Sequence, residues 1–456
     1  MQKRNFILLI IVLVLVVIGV FVFLYFQNGT EEESEGTNFI ARFNPFASNK
    51  GTPSAGNPPV DVSGYEPGPE ETEKLKLVKV SSMPIAGYTI FIKERLKEIS
   101  LIPPLLMEEG VGGGDNSTPP RPSGTPPQKG GDKKKPTPPP TEFMPALRYV
   151  AKANGNIYQS FVDKIEERKF SGTIIPKVYD AYFGNKGESV VMRYLKGGGE
   201  TIETFVGSLP KEYLGGDLAE ENEIKGSFLP NNIKDLSVSP DGSKIFYLFE
   251  IGNNIVGTTL NFLDNKKVQV FDSPFTEWLS QWGNEKTILL STKPSGNAPG
   301  YTYSLDLIKK NLLKVLGEIN GLTTLLSPDG KFIIYTDNSL LLSVFYADSR
   351  NSNSLGIGTL PEKCLWNKTS EAVYCAVPKF INAGLYPDIW YQGEVSFSDQ
   401  FWKIDIQTGN ATLLLDPLTV PGGEEIDGIK LALDKDEDYL FFVNKKDSFL
   451  WKLDLK

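Results

Sequence analysis

Histidine is absent from this 456-residue chain, and only two cysteines occur. A Ser-His-Asp or Cys-His catalytic set, a histidine-ligated zinc and a histidine pH switch are therefore excluded. Two cysteines are too few for a thiolate metal cage or an iron–sulfur cluster. An excess of basic charge is also lacking: 47 Lys and Arg stand against 56 Asp and Glu, a net charge of −9. Phosphate backbones are bound by basic stripes, so no nucleic-acid partner is expected. Helical periodicity is scarce, and a single apolar run is long enough to span a membrane. Carboxylates and lysines are the chemistry that remains. The chain is accordingly expected to be a binding protein and not an enzyme, with no catalytic, cofactor-binding or metal-ligating residues.

The apolar run extends from Phe6 to Phe26. About twenty residues of helix cross the roughly 30 Å hydrocarbon layer. Lys3 and Arg4 precede the run, and Glu31, Glu32, Glu33 and Glu35 follow it. The positive-inside rule puts a cytoplasmic stub at 1–5 and everything after residue 26 outside the cytoplasm, at a cell membrane. The exit Leu24-Tyr25-Phe26-Gln27-Asn28 lacks a small-residue cleavage site, which favours a single-pass signal anchor over a cleaved signal peptide. Residues 27–74, rich in Gly, Pro, Ser and Glu, read as a tether. A second low-complexity stretch, at about 94–142, carries Lys133-Lys134-Lys135 and Pro138-Pro139-Pro140. At its start Glu94-Arg95-Leu96-Lys97-Glu98-Ile99 reads either as a short amphipathic helix or as the partly ordered flank of an insertion.

The remainder, 75–456, is a series of short β-like runs separated by turn residues, so the class is all-β. One unit recurs at the period of a four-stranded propeller blade. Its mark is a tight turn, clearest at Ser239-Pro240-Asp241-Gly242 and Ser327-Pro328-Asp329-Gly330, each followed by an apolar strand ending in Tyr247 or Tyr335. Proline presets the turn, Asp bonds its own backbone and Gly accepts positive φ. Degenerate copies begin at Phe183, Trp282, Trp366 and Leu433. With a first unit split by the low-complexity stretch, seven blades follow: 85–174, 177–229, 233–271, 275–316, 322–360, 363–415 and 426–455. If the early strands were linker, six would remain. The last segment, Trp451-Lys452-Leu453-Asp454-Leu455, repeats Trp402-Lys403-Ile404-Asp405-Ile406 but has no strand after it. An unpaired edge invites aggregation, so Leu75 to Val80 is expected to complete the last blade and close the ring. The Ser-Pro-Asp-Gly turns resemble those of TolB-type propellers and, more loosely, WD-repeat propellers. That resemblance implies a protein-binding platform.

Cys364 and Cys375 flank the turn of the sixth unit. Opposite each other in a hairpin they would lie within disulfide reach; otherwise they are two buried thiols. In a propeller the loops joining second to third strands share one face with the links between blades. Three such loops are expected to be long: Glu250 to Val256, Lys293 to Gly300, and Lys379 to Gln400. The last carries Phe380, Tyr386, Trp390, Tyr391 and Phe397, which either anchor a partner or pack back to order the loop. Asp388, Glu394 and Asp399 share it, without the Asp-x-Asp-x-Asp-Gly spacing of a calcium loop. The first reading is thus a membrane-anchored extracytoplasmic scaffold that docks envelope proteins. The alternatives are a carboxylate-dependent hydrolase of glycans or envelope polymers and a sensor that binds a small ligand in the central funnel.

Overall fold

Ser239 and Ser327 show how local sequence shapes each blade. Each hydroxyl donates at 2.6 Å to the aspartate two residues on, Asp241 or Asp329, and accepts the backbone N–H of the residue five on, Lys244 or Phe332. Gly242 and Gly330 sit at φ of 70° and 76°, a region costly for residues with a Cβ. The degenerate turns keep the same bond. Asn367 Oδ1 accepts from Ala372 at 3.1 Å and Asp434 Oδ1 from Tyr439 at 2.8 Å. Ser370 and Glu437 take the left-handed position in place of glycine, at φ of 63° and 59°.

A computed structural model describes residues 76–97, 140–212 and 222–456. Among them lie seven four-stranded antiparallel sheets, spanning 85–169, 178–228, 235–273, 278–320, 323–358, 364–415 and 428–454. The molecule is a seven-bladed β-propeller, so the six-blade count falls. The first strands of successive blades contact one another and form the inner ring, whereas a last strand such as Lys225–Phe228 is exposed throughout. The core is circular because each apolar cluster spans two blades. Val191 and Val206 of blade two meet Leu236 and Ile245 of blade three. Tyr374 and Phe401 of blade six meet Leu440 and Phe442 of blade seven.

The seventh sheet has the order Gly428–Leu433, Tyr439–Asn444, Leu450–Asp454 and, outermost, Leu77–Lys79. The two chain regions pair in register as Leu77 with Leu453, Val78 with Lys452 and Lys79 with Trp451. Val80 N donates to Leu450 O at 2.7 Å and Asp454 N to Lys76 O at 2.8 Å, extending the ladder at both ends. On the inner ring Lys430, at a register shift with φ of 51°, reaches from blade seven to Ala86 O of blade one at 2.8 Å and Asp180 of blade two at 2.7 Å. Tyr88 of blade one returns a hydrogen bond to Lys430 O at 2.6 Å.

Three expectations change. Glu94, Arg95 and Leu96 are not helical: they finish a 12-residue strand, Ile85–Leu96, paired along its length with Thr141–Ala151. Alternation of Ile90, Ile92, Glu94 and Leu96 on one side suits an extended partner better than a helix too short to nucleate. Glu250 to Val256 is not a loop, because strands Lys244–Ile251 and Asn254–Asn261 run through it and turn at Gly252, φ 61°. The loop 293–300 shortens, since the next strand begins at Pro299. Among the described residues no helix is long and apolar enough to cross a membrane, and the run from Phe6 to Phe26 lies outside them, as do Leu75, the tether and most of the low-complexity stretch.

Val78→Pro tests the closure. Alternation from the Val80 bond puts the Val78 N–H in the ladder, and proline removes that donor and leaves its acceptor unsatisfied, at a cost of about 1–3 kcal/mol. The thermal midpoint followed by tryptophan fluorescence should fall. An unchanged midpoint would mean the strand is dispensable.

Candidate functional site

The connection between Ala372–Pro378 and Asp399–Asp405 of blade six, residues 379–398, contains one short helix, α1 (Asp388–Tyr391). Its aromatics divide. Tyr386, Trp390 and Phe397 are buried with Leu340 and Leu360, and Phe397 lies between the rings of Tyr386 and Trp390 at centroid distances of 6.0 and 6.4 Å. Phe380 is 84% exposed and Tyr391 42% exposed, the latter donating its hydroxyl to Glu362. Three of the five residues therefore order the loop and two face solvent.

Beneath the aromatics sits an ammonium that sequence reasoning missed. Lys363 ends a 3-10 turn, Pro361–Lys363, and its side chain is wholly buried. Its Nζ donates to Asp399 Oδ2 at 2.7 Å, to Asp427 and to Gly428 O at 3.2 Å, with the Trp390 and Phe397 rings 5.6 and 5.4 Å away. Asp427 in turn fastens the loop. Its Oδ2 accepts from Trp390 Nε1 at 3.0 Å, Ser396 Oγ at 3.1 Å and Phe397 N at 3.1 Å. Lys445 Nζ adds a bond to Trp390 O at 2.8 Å. A buried charge is tolerated only when paired and hydrogen-bonded, and Lys363 meets that condition with two carboxylates from different blades.

The two acids differ. Burial pushes Asp399 up to about 6, against the pull of Lys363 and with the push of Asp427. Burial acts on Asp427 in the same direction, but Lys363 and the loop donors outweigh it and hold the group below the usual carboxylate range. Asp399 Oδ1 is buried without a protein partner. Beyond Asp399, the sequence marks this cluster only by a lysine between Leu360-Pro361-Glu362 and Cys364-Leu365-Trp366 and an aspartate between Ile426 and Gly428.

The loop also reaches blade four. Asp388 Oδ2 accepts from Gly296 N at 2.6 Å, and Asn338 of blade five donates to Gly296 O at 3.2 Å. Any Cβ at Gly296 would meet Tyr386 O at 2.5 Å, so that approach requires glycine. Asp388, Glu394 and Asp399 consequently do not converge: one binds Gly296, one is exposed and one is sealed beside Lys363. Cys364 and Cys375, directly opposite with Cα atoms 4.1 Å apart, are joined by a disulfide beside this cluster.

A cavity of about 180 Å³ opens beside the loop, lined by Phe380, Asn382, Tyr386, Phe397, Glu425 and Lys446. The pair Asp399 and Asp427, though both close to one ammonium, is closed to any polymer substrate. On the inner ring, burial raises Asp235 to about 6 while its bonds to Ser280 N and Oγ pull it down. Asp180 is bound by Lys430.

No family model and no curated protein sequence matches this chain. Solved structures do. Oligogalacturonate lyase from Vibrio parahaemolyticus is 8% identical over 68% of this chain and 86% of its own, with a TM-score of 0.46. An oligogalacturonate lyase in complex with manganese is 9% identical over 68% and 85%, with a TM-score of 0.47. Tricorn protease is 11% identical over 66% of this chain and 27% of its own, with a TM-score of 0.33. These are likenesses of fold and bring no substrate to this chain. They do correct one expectation. The expectation that the chain is not an enzyme is withdrawn: oligogalacturonate lyases stand among its likenesses of fold, and such a fold does not by itself settle whether a chain is an enzyme.

Two substitutions separate the roles of the acids. Asp427→Asn leaves Lys363 with one carboxylate and loosens the loop, and should cost about 3–5 kcal/mol in denaturant unfolding. Asp399→Asn should act on pH dependence. With a native pKa above the ordinary 3.8, Asp399 keeps a proton that the unfolded chain releases, so its ionisation lowers stability between about pH 4 and 6, by up to roughly 3 kcal/mol, and no further above. The difference between variant and wild type should grow across that window and then level. A constant difference would place the titration elsewhere.

Proposed function

We propose that the chain is a binding module: a propeller held outside the cytoplasm by the segment Phe6 to Phe26, whose loop 379–398 docks proteins of the cell envelope. One observation carries this reading. A 20-residue loop is held in one conformation from below by Asp427, Lys363 and three stacked rings, while Phe380 stands 84% exposed at its surface. A loop ordered in advance avoids the entropy cost of ordering on contact. An exposed aromatic beside a cavity is the kind of residue that dominates binding energy. The likeness of the Ser-Pro-Asp-Gly turns to those of TolB-type propellers supports the same reading.

Co-purification of the full chain with proteins of its own membrane fraction tests it. Phe380→Ala leaves the packed rings in place, whereas Tyr391→Ala also removes a ring 5.4 Å from Trp390 and a hydroxyl bonded to Glu362; each should weaken capture of a partner by about 30-fold, the equivalent of roughly 2 kcal/mol at a hot spot. Capture that is indifferent to both would remove the loop from the interface.

A further inference from the structure

Lys363, Asp399 and Asp427 lie beneath the 379–398 loop with no exposure to solvent. They bring one positive charge and up to two negative ones, and the two acids are unequally served. Asp427 has donors on both oxygens: Lys363 on Oδ1, and Trp390 Nε1, Ser396 Oγ and Phe397 N on Oδ2. Asp399 accepts on Oδ2 alone, from Lys363 Nζ at 2.7 Å and Gly428 N at 2.6 Å, and its Oδ1 is buried with no protein donor. A bare buried oxygen costs far more on an anion than on a neutral carboxyl. The other charged groups nearby are engaged. Glu362 accepts from the Tyr391 hydroxyl and Lys445 donates to Trp390 O. At the margins Lys379 pairs with Asp416 and Lys446 with Glu425.

We propose that Asp399 is a proton-operated latch for this loop. With Asp399 protonated, Lys363 and Asp427 form a neutral pair and the loop lies closed over them. With Asp399 ionised, a second carboxylate competes for the same ammonium, and the loop lifts. The latch rests on the reading of the loop as a contact surface and adds its regulation. Asp399 directly follows the loop, held by its N–H to Ile426 O at 2.8 Å. The cover over the cluster is the loop's own: the Trp390 and Phe397 rings lie 5.6 and 5.4 Å from Lys363 Nζ, so water reaches the charges only when those rings part from it. The loop is fastened by Asp427, so an ammonium drawn toward Asp399 weakens the fastening. The direction follows from the closed state. Burial raises Asp399 to about 6, against the pull of Lys363 and with the push of Asp427. A lifted loop lets water in and returns the group toward its ordinary 3.8, so the lifted state loses its proton first as pH rises. Closure is therefore strongest below about pH 4, weakens between about pH 4 and 6, and levels above.

Hydrogen exchange of the full chain in detergent micelles, read by mass spectrometry, tests the latch without any partner. Protection factors, which remove the ordinary pH dependence of amide exchange, should fall at least about tenfold for residues 389–397 between about pH 4 and about pH 7. These amides should be less protected than those of strand Tyr439–Asn444, the mark of a local opening and not of unfolding. Asp399→Asn, neutral at every pH, should keep the acid level of protection throughout. Glu362→Gln removes the other acid that touches the loop and should leave the fall in place. Loop protection that is flat with pH overturns the latch, as does a fall that persists undiminished in Asp399→Asn. If that variant does not fold, the wild-type midpoint decides: within about pH 4–6 it supports the latch, and outside that window it overturns it. A pH-dependent loop in a chain whose partner capture ignores Phe380→Ala would keep the latch and remove the loop from the interface.

Discussion

Three residues of backbone pairing hold the ring shut. Leu77–Lys79 lies against Leu450–Asp454, so the last blade is assembled from two ends of the described chain. Every other blade is local in sequence, and its strands follow in order. The inter-blade core has no natural end, because each apolar cluster belongs half to one blade and half to the next. Without the closing strand, the Leu453 and Trp451 side of blade seven would be a bare edge next to blade one. Lys430 and Tyr88 repeat the closure on the inner ring with charge and hydroxyl, and the outer apolar pairing gives them a fixed distance to span.

Closure in turn makes the buried charge possible. Lys363 stands between blades six and seven and needs both Asp399 of one and Asp427 beside the other. An ammonium in so dry a place contributes little net stability compared with an apolar replacement. What it does provide is direction. Asp427 has donors to satisfy only when Trp390, Ser396 and Phe397 are in one arrangement, so the cluster selects a single conformation of a 20-residue loop. The Gly296 contact with Asp388 extends that selection to blade four, leaving the loops of three blades as one surface.

The surface so produced combines a rigid floor with an exposed Phe380 and a cavity at its foot. Recognition and chemistry are both compatible with such a face, and the ring itself does not choose between them. The inner ring holds its own ionisable groups: Asp235, raised by burial, and Asp180, bound to Lys430.

Repeat count, blade boundaries and the closing strand were legible in the sequence because they depend on local chemistry. A Ser-Pro-Asp-Gly turn bonds its own backbone wherever it occurs, and an apolar run between two such turns has few alternatives to a strand. The last unit could be seen to lack a strand because its pattern matched complete units upstream. The division among the loop aromatics was not legible, since a buried ring and a presented ring are the same residue type at similar spacing. Only the tertiary structure assigned Tyr386, Trp390 and Phe397 to the floor and Phe380 and Tyr391 to the surface. Lys363 and Asp427 were hidden for a related reason. They are 64 residues apart in the chain, and a charge acquires its meaning from the groups that folding brings around it.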